Sequence, residues 1–113
     1  MFFTDAERAQ LIENGRASAA DDQRDHIPVV KLFTPDANAT WLLTELYPCN
    51  PDIAFGLCDL GLGFPELGDV SLLELEALRG PFGLPVERDA HFHSTQTLTA
   101  HAATAREHQR IVT

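Results

Sequence analysis

Two apolar runs, Thr40–Tyr47 (TWLLTELY) and Ile53–Leu60 (IAFGLCDL), are joined by the short stretch PCNPD. No other feature of the chain restricts its fold so tightly. Each run has strand length and is rich in large apolar residues. The joining stretch carries two prolines, an Asn and an Asp, the chemistry of a turn. The reading is an antiparallel hairpin. Both runs are apolar on both faces, which places the hairpin in the middle of a sheet. Two registers are open. One sets Tyr47 opposite Ile53, Glu45 opposite Phe55, Leu43 opposite Leu57 and Trp41 opposite Asp59. The other slips by one residue and exchanges the faces. The first is preferred because it stacks large side chains across the strands.

The flanking segments supply helices and further strands. Thr4 and Glu7 form a capping box, and the helix they open is expected to stop at Asn14-Gly15. The following RASAADDQRD reads as a frayed continuation or a loop. HIPVVKLF, residues 26–33, is β-branched and apolar, with Pro28 marking a strand start or an edge. Ser71 and Glu74 suit a second capping box, with a helix to about Arg79 burying Leu72, Leu75 and Leu78, with Leu73 as a further candidate for that stripe. Gly80-Pro81 ends it. Val86–Phe92 is expected as a last strand, and Thr97 caps a final helix reaching about Gln109. The expected core is Leu11, Val29, Leu32, Trp41, Leu43, Phe55, Leu57, Leu72, Leu75 and Leu78.

Between strand and helix lies GLGFPELG, residues 61–68, where nucleotide-binding proteins place a phosphate. The residues argue against one. Gly61 and Gly63 fit G-x-G-x-x-G, but its third glycine is replaced by Glu66, and Pro65 removes an amide. No Gly-Lys-Ser/Thr follows. The glycines instead suit the positive φ of a turn.

Charge points the same way. The chain carries a formal net charge of −9. Between Lys31 and Arg79 there is no Lys, Arg or His, but there are eight acids: Asp36, Glu45, Asp52, Asp59, Glu66, Asp69, Glu74 and Glu76. A phosphate-backbone binder needs clustered Lys and Arg, so no direct contact with nucleic acid is expected. Glu45, Asp59, Glu66 and Asp69 become candidates for an acidic surface meeting a basic protein partner. In its sharpest form, such a surface imitates DNA and occludes a DNA-binding enzyme.

Catalytic and metal chemistry find little support. His91 and His93 share a strand face, and His101 or Asp89 can be proposed to complete a metal site. Glu45 and Asp59, beside Trp41 and Phe55, are the acids best placed for altered pKa values and hence for a small carboxylate enzyme. Thr44, Ser71 and Ser94 lack a local Ser/His/Asp arrangement. Cys49 and Cys58 are too far apart along the strand for a disulfide, and neither has a basic neighbour. No catalytic residue, metal or cofactor is assigned. No apolar run approaches a membrane span, and MFFTDAERAQ does not read as a secretion signal, so a cytoplasmic protein is expected.

The run PVVKLFTPDANATWLLTELYPCNPDIAFGLCDLGLGFPELGDVSLLELEALRGPFGLPVERDAHF resembles the bacterial domain-of-unknown-function family 2958. The likeness extends from ERAQLIENGRA to the C-terminal helix. Its most specific part is KLFTP, TWLLTEL, AFGLCDLG, GFPELG and the VSL and EL that follow. The resemblance implies a short protein of plasmids and integrative elements, with no catalytic residue to carry over. Members of that family commonly have a basic residue at the position of His93, which weakens the metal reading.

The expectation is thus one α+β domain over residues 1–113. A small, mainly antiparallel sheet of three to five strands, with the hairpin 40–47/53–60 at its centre, carries the N-terminal, middle and C-terminal helices. The leading function is a non-enzymatic accessory or interaction protein of a bacterial mobile element. The alternatives are an acidic nucleic-acid mimic and a small enzyme using carboxylates. An exposed strand edge leaves room for a dimer.

Overall fold

The computed structural model describes residues 2–113. Its elements in chain order are α1 (Asp5–Ala20), β1 (Val30–Phe33), β2 (Thr40–Tyr47), β3 (Asn50–Asp59), β4 (Glu66–Ser71), α2 (Leu72–Ala77), β5 (Glu87–Arg88) and α3 (Leu98–His108). The five strands form one open antiparallel sheet in the order β4-β3-β2-β1-β5. The fold is α+β, with the hairpin at the sheet's centre, as expected.

The hairpin uses both registers. Glu45 opposes Phe55, as in the first. Before that point Leu43 opposes Gly56, Leu42 opposes Leu57, Trp41 opposes Cys58 and Thr40 opposes Asp59, as in the slipped alternative. Thr44 is the residue between, left without a partner in a β-bulge. Its hydroxyl donates to the Phe55 carbonyl at 3.3 Å. Gly56 accounts for the tight passage here: a Cβ on it would lie 2.0 Å from the Leu42 carbonyl oxygen. The turn is also shorter than PCNPD implies. Tyr47 pairs with Asn50, leaving Pro48-Cys49 as the loop. Pro51, which has no N–H to give the ladder, falls in a second irregularity.

Because the bulge interrupts the alternation of β2, Leu46 joins Trp41 and Leu43 on one face while Leu42 lies on the other, and both faces bury apolar side chains. One face holds Trp41, Leu43, Leu46 and Ala54 against Leu11 of α1 and Leu72 and Leu75 of α2. The other holds Leu42 and Leu57 against Leu98, Ala102 and Ala105 of α3, closed off by Ile111. The alanines on the inner side of α3 let that helix lie close to the sheet. Phe55 belongs to the second face and Trp41 to the first, so the pair does not share a face as the preferred register required.

Helix α1 departs most from expectation. The Thr4/Glu7 capping box is present. Asn14-Gly15, however, is not a stop; the helix runs on to Ala20. Strand β1 pairs with β2 only from Thr40 to Leu43, with one further bond from Val29 N to the Leu43 carbonyl. Past that point β2 presents an open edge, and α1 covers it. Asn14 Nδ2 donates to the Thr44 carbonyl at 2.9 Å. Gly15 lies directly on the next turn of the edge: a Cβ there would sit 1.8 Å from the Leu46 carbonyl oxygen. The dipeptide is a contact surface for a strand.

Other elements are shorter than the sequence suggested. α2 ends at Ala77, and Leu78 is already extended, so the helical spacing from Leu75 is lost and Leu78 is 40% exposed. The cap of α2 is not a reciprocal box. Ser71 Oγ accepts from Glu74 N, but the Glu74 carboxylate does not return to the Ser71 amide; another first-turn amide, Leu73 N, goes to Asp52 Oδ1. β5 is only Glu87–Arg88, because Asp89 turns the chain: its carboxylate accepts from His91 N and its carbonyl from Phe92 N. Val86, just before it, is buried in the core.

Replacing a helical Gly by Ala ordinarily stabilises by about 1 kcal/mol. Gly15→Ala should do the opposite, lowering the unfolding free energy by about 2–4 kcal/mol because backbone must move. Urea unfolding of the two proteins checks the sign.

Candidate functional site

The glycine turn is held by a buried carboxylate. Gly61 and Gly63 have φ of 80° and 88°, the left-handed region glycine tolerates. Gly61 N donates to Asp59 Oδ1 at 2.8 Å. Asp59 is only 3% exposed, and its second oxygen accepts from Ile111 N at 2.9 Å. One side chain therefore fixes the turn at the end of β3 and ties the segment after α3 to it. The amide that a phosphate loop would offer its ligand is already bound by the chain's own anion.

A second carboxylate does the same for another loop. Asp36, in the connection between β1 and β2, accepts from Phe82 N at 2.8 Å and Leu84 N at 3.3 Å through Oδ2. Gly80 lets it approach: a Cβ at Gly80 would be 1.7 Å from Oδ1. That oxygen is buried without a hydrogen-bond partner.

Both loops thus lean on one connection. Gly61 packs against Asn38, and residues 80–84 are bound to Asp36. Each presents large apolar side chains to solvent: Leu60, Leu62 and Phe64 from the first, Phe82 and Leu84 from the second. Phe64 is 77% exposed and Phe82 85%. A cavity of about 780 Å³ adjoins this end of the sheet, between Asn38, Gly61 and Gly63 on one side and Lys31, Asp89 and Arg110 on the other. Lys31 and Asp89 are paired across 3.7 Å.

The candidate acids do not form one surface. Glu66 and Asp69 are exposed, but Glu45 and Asp59 are buried. Glu45 accepts the Ser18 hydroxyl at 3.0 Å, and Asp69 accepts the Tyr47 hydroxyl at 2.6 Å. Asp52 accepts from Ser71 Oγ at 2.8 Å. Five of the eight central acids, Asp36, Glu45, Asp52, Asp59 and Asp69, are therefore bonded within the fold. Glu66, Glu74 and Glu76 remain exposed.

Nor do the proposed chemical groups converge. Asp59, Glu45 and His91 line three different cavities. His91 and His93 are exposed, and Ser94 Oγ lies 2.7 Å from His101 Nε2, whose pKa burial lowers. Among the described residues, no three His, Cys, Asp or Glu side chains are grouped to hold a metal. Cys49 is exposed, and burial pushes the Cys58 thiol up to about 11, away from nucleophilic character. No helix among the described residues is long and apolar enough to cross a membrane.

Two arrangements escaped the sequence reading. The Asp36 clamp spans 46 residues of chain, and Ser18–Glu45 spans 27. Neither distance leaves a local pattern. The exposed apolar loops were legible in part, since LGLGF and PFGL combine large apolar residues with turn glycines.

The fold and site define a small α+β protein with an open antiparallel sheet and two carboxylate-pinned apolar loops. The chain belongs to the family described as protein of unknown function DUF2958, which matches residues 2–112. No curated protein and no solved structure matches it.

Asn in place of Asp59 keeps one acceptor but turns an NH₂ toward the other amide. Asp59→Asn should therefore lower stability by about 1–3 kcal/mol, with amide exchange accelerated at Gly61 and Ile111 together. At high pH two groups report on the fold. The Tyr47 hydroxyl is pushed up to about 12, first by donating to Asp69 and then by burial. Cys58 rises in the same sense. Raised folded pKa values mean stability that is full below the unfolded values, near 9 and 10, and lost as pH climbs through about 11 to 12. Urea midpoints across that range should fall, and Tyr47→Phe should flatten the upper part of the decline.

Proposed function

We propose that this chain is a non-enzymatic interaction protein of a bacterial mobile element, acting in the cytoplasm, and that its apolar loops dock a basic protein partner. The observation that carries the reading is Phe64 and Phe82 standing in solvent on loops fixed from beneath. Burying a phenylalanine side chain is worth about 1.5–3 kcal/mol, and several large apolar side chains exposed on one loop mark an interaction surface. The Asp59 and Asp36 bonds fix both loops before any partner arrives, so little ordering entropy opposes docking.

Charge supports the choice of partner. The free carboxylates Glu66, Glu74 and Glu76 and the net charge of −9 favour a partially basic surface. Two copies of this chain repel each other by the same charge. The mobile-element setting is what the family resemblance implies. A DNA mimic has less support, because five of the eight central carboxylates are spent on the fold. An enzyme has less support, because its candidate groups are dispersed among separate cavities.

The test begins with capture from the host on immobilised protein and is decided with the purified captured partner. Phe64→Ser combined with Phe82→Ser should weaken binding by about 30-fold or more, with unfolding free energy changed by no more than about 0.5 kcal/mol. Equal binding by the double variant refutes docking on the apolar rim formed by the loops bearing Phe64 and Phe82. Loss of binding only in a Glu66, Glu74 and Glu76→Gln triple variant would transfer the case to charge mimicry.

A further inference from the structure

The opposite end of the hairpin carries a second cavity, independent of the apolar rim. Its volume is about 260 Å³. Tyr47, Pro48 and Phe55 give it flat apolar walls, and Ser18, Asp22 and Glu45 give it polar ones. This is below the usual range for drug-sized ligands but ample for one side chain.

Glu45 is its distinctive member. The residue is 7% exposed, and only one of its two carboxylate oxygens is bonded within the chain. Oε1 accepts the Ser18 hydroxyl; Oε2 has no hydrogen bond among the described residues. Ser18 has nothing more to give. Its single proton goes to Glu45, so the contact of 2.9 Å with His26 Nε2 must run from the ring N–H to the hydroxyl oxygen. The relay His26 to Ser18 to Glu45 fixes the carboxylate in place and leaves one oxygen open to the cavity. A cationic donor entering the cavity meets that oxygen as an open, charged acceptor.

The surroundings narrow the donor. Asp22 adds a second negative charge to the cavity wall, and Asp69, bonded to Tyr47, a third beside it. Among the described residues Arg24 is the one cationic group lining the cavity, and it is paired with Asp21 at 4.0 Å, with both side chains more than half exposed. Anions are therefore disfavoured. Flat walls of Tyr47, Phe55 and Pro48 suit a planar cation that stacks while it donates. A guanidinium does both; an ammonium donates but does not stack in this way.

We infer that this cavity is a binding site for a guanidinium group, with Glu45 accepting its N–H donors and the Tyr47–Phe55 walls flanking its plane. The same chemistry is presented by an arginine side chain of a protein and by a free guanidino compound.

The test uses the ¹⁵N-labelled full chain titrated with N-acetyl-argininamide, agmatine and, as a control, N-acetyl-glutaminamide. Saturable shifts should appear at Gly15, Ser18, Tyr47 and Phe55 with the guanidinium compounds, with a Kd in the millimolar range of about 1–50 mM for a single side chain, and not with the control. Tighter binding of the blocked arginine assigns the site to a protein side chain; tighter binding of agmatine assigns it to a free metabolite. Glu45→Gln still accepts from Ser18 and should weaken binding about tenfold or more. Asp22→Asn lies at an exposed position, does not threaten the fold, and should weaken it about threefold. Shifts that fail to saturate, that equal those of the control, or that survive both substitutions unchanged overturn the inference. None of these outcomes bears on the rim, which Phe64 and Phe82 test separately.

Discussion

The bulge at Thr44 is the constraint on which the rest of the structure turns. Without it, a strand of alternating pleat would send Leu42 and Leu46 to the same face. With it, Leu42 meets α3 while Trp41, Leu43 and Leu46 meet α1 and α2. The same extra residue puts the Thr44 carbonyl where Asn14 can reach it, and so determines where α1 lies. It also sets Glu45 opposite Phe55 in the lining of the cavity of about 260 Å³. One inserted residue thereby shapes the core, the helix that seals the sheet edge and a candidate binding site.

A second theme is the use of carboxylates as acceptors for backbone amides. Loops need partners for their N–H groups, and this chain supplies them from side chains far away in sequence. Asp59 serves two segments, Asp36 two amides of one loop, and Asp52 the first turn of α2. Charge-assisted bonds of this kind are stronger than neutral ones. The absence of basic residues from 32 to 78 becomes intelligible in these terms. A nearby lysine or arginine would compete for the carboxylates that hold the loops.

Much of the architecture was legible from residue pattern. The hairpin, the Thr4 and Thr97 caps and the turn role of Gly61 and Gly63 all follow from local chemistry, and each has a local cause in the structure. What was not legible depends on contacts distant in sequence. Asn14-Gly15 carries the signature of a helix end, and only the open edge of β2 explains why the helix continues through it. Both hairpin registers could be written down, but a join between them leaves no mark besides Gly56. Leu78 has the right spacing for the core and misses it because α2 is short. Acids were read as surface because most acids are; the burial of Asp59 and Glu45 requires partners at Ile111 and Ser18, which no spacing rule connects.

These two themes meet in how the molecule can recognise another. A loop bearing exposed phenylalanine is normally a liability, since it can collapse onto its own surface or bind indiscriminately. Here collapse is opposed by the pins: Phe82 N is bound to Asp36, and Phe64 lies one residue past a glycine whose φ restricts the path of the turn. Indiscriminate binding is opposed by charge, because a net −9 repels other acidic surfaces. On the proposed reading, apolar area supplies attraction, while the carboxylates decide which partners come close enough to use it. At the hairpin end the order is reversed. There the carboxylate Glu45 is the attraction, and the apolar walls of Tyr47 and Phe55 discriminate among cations by shape.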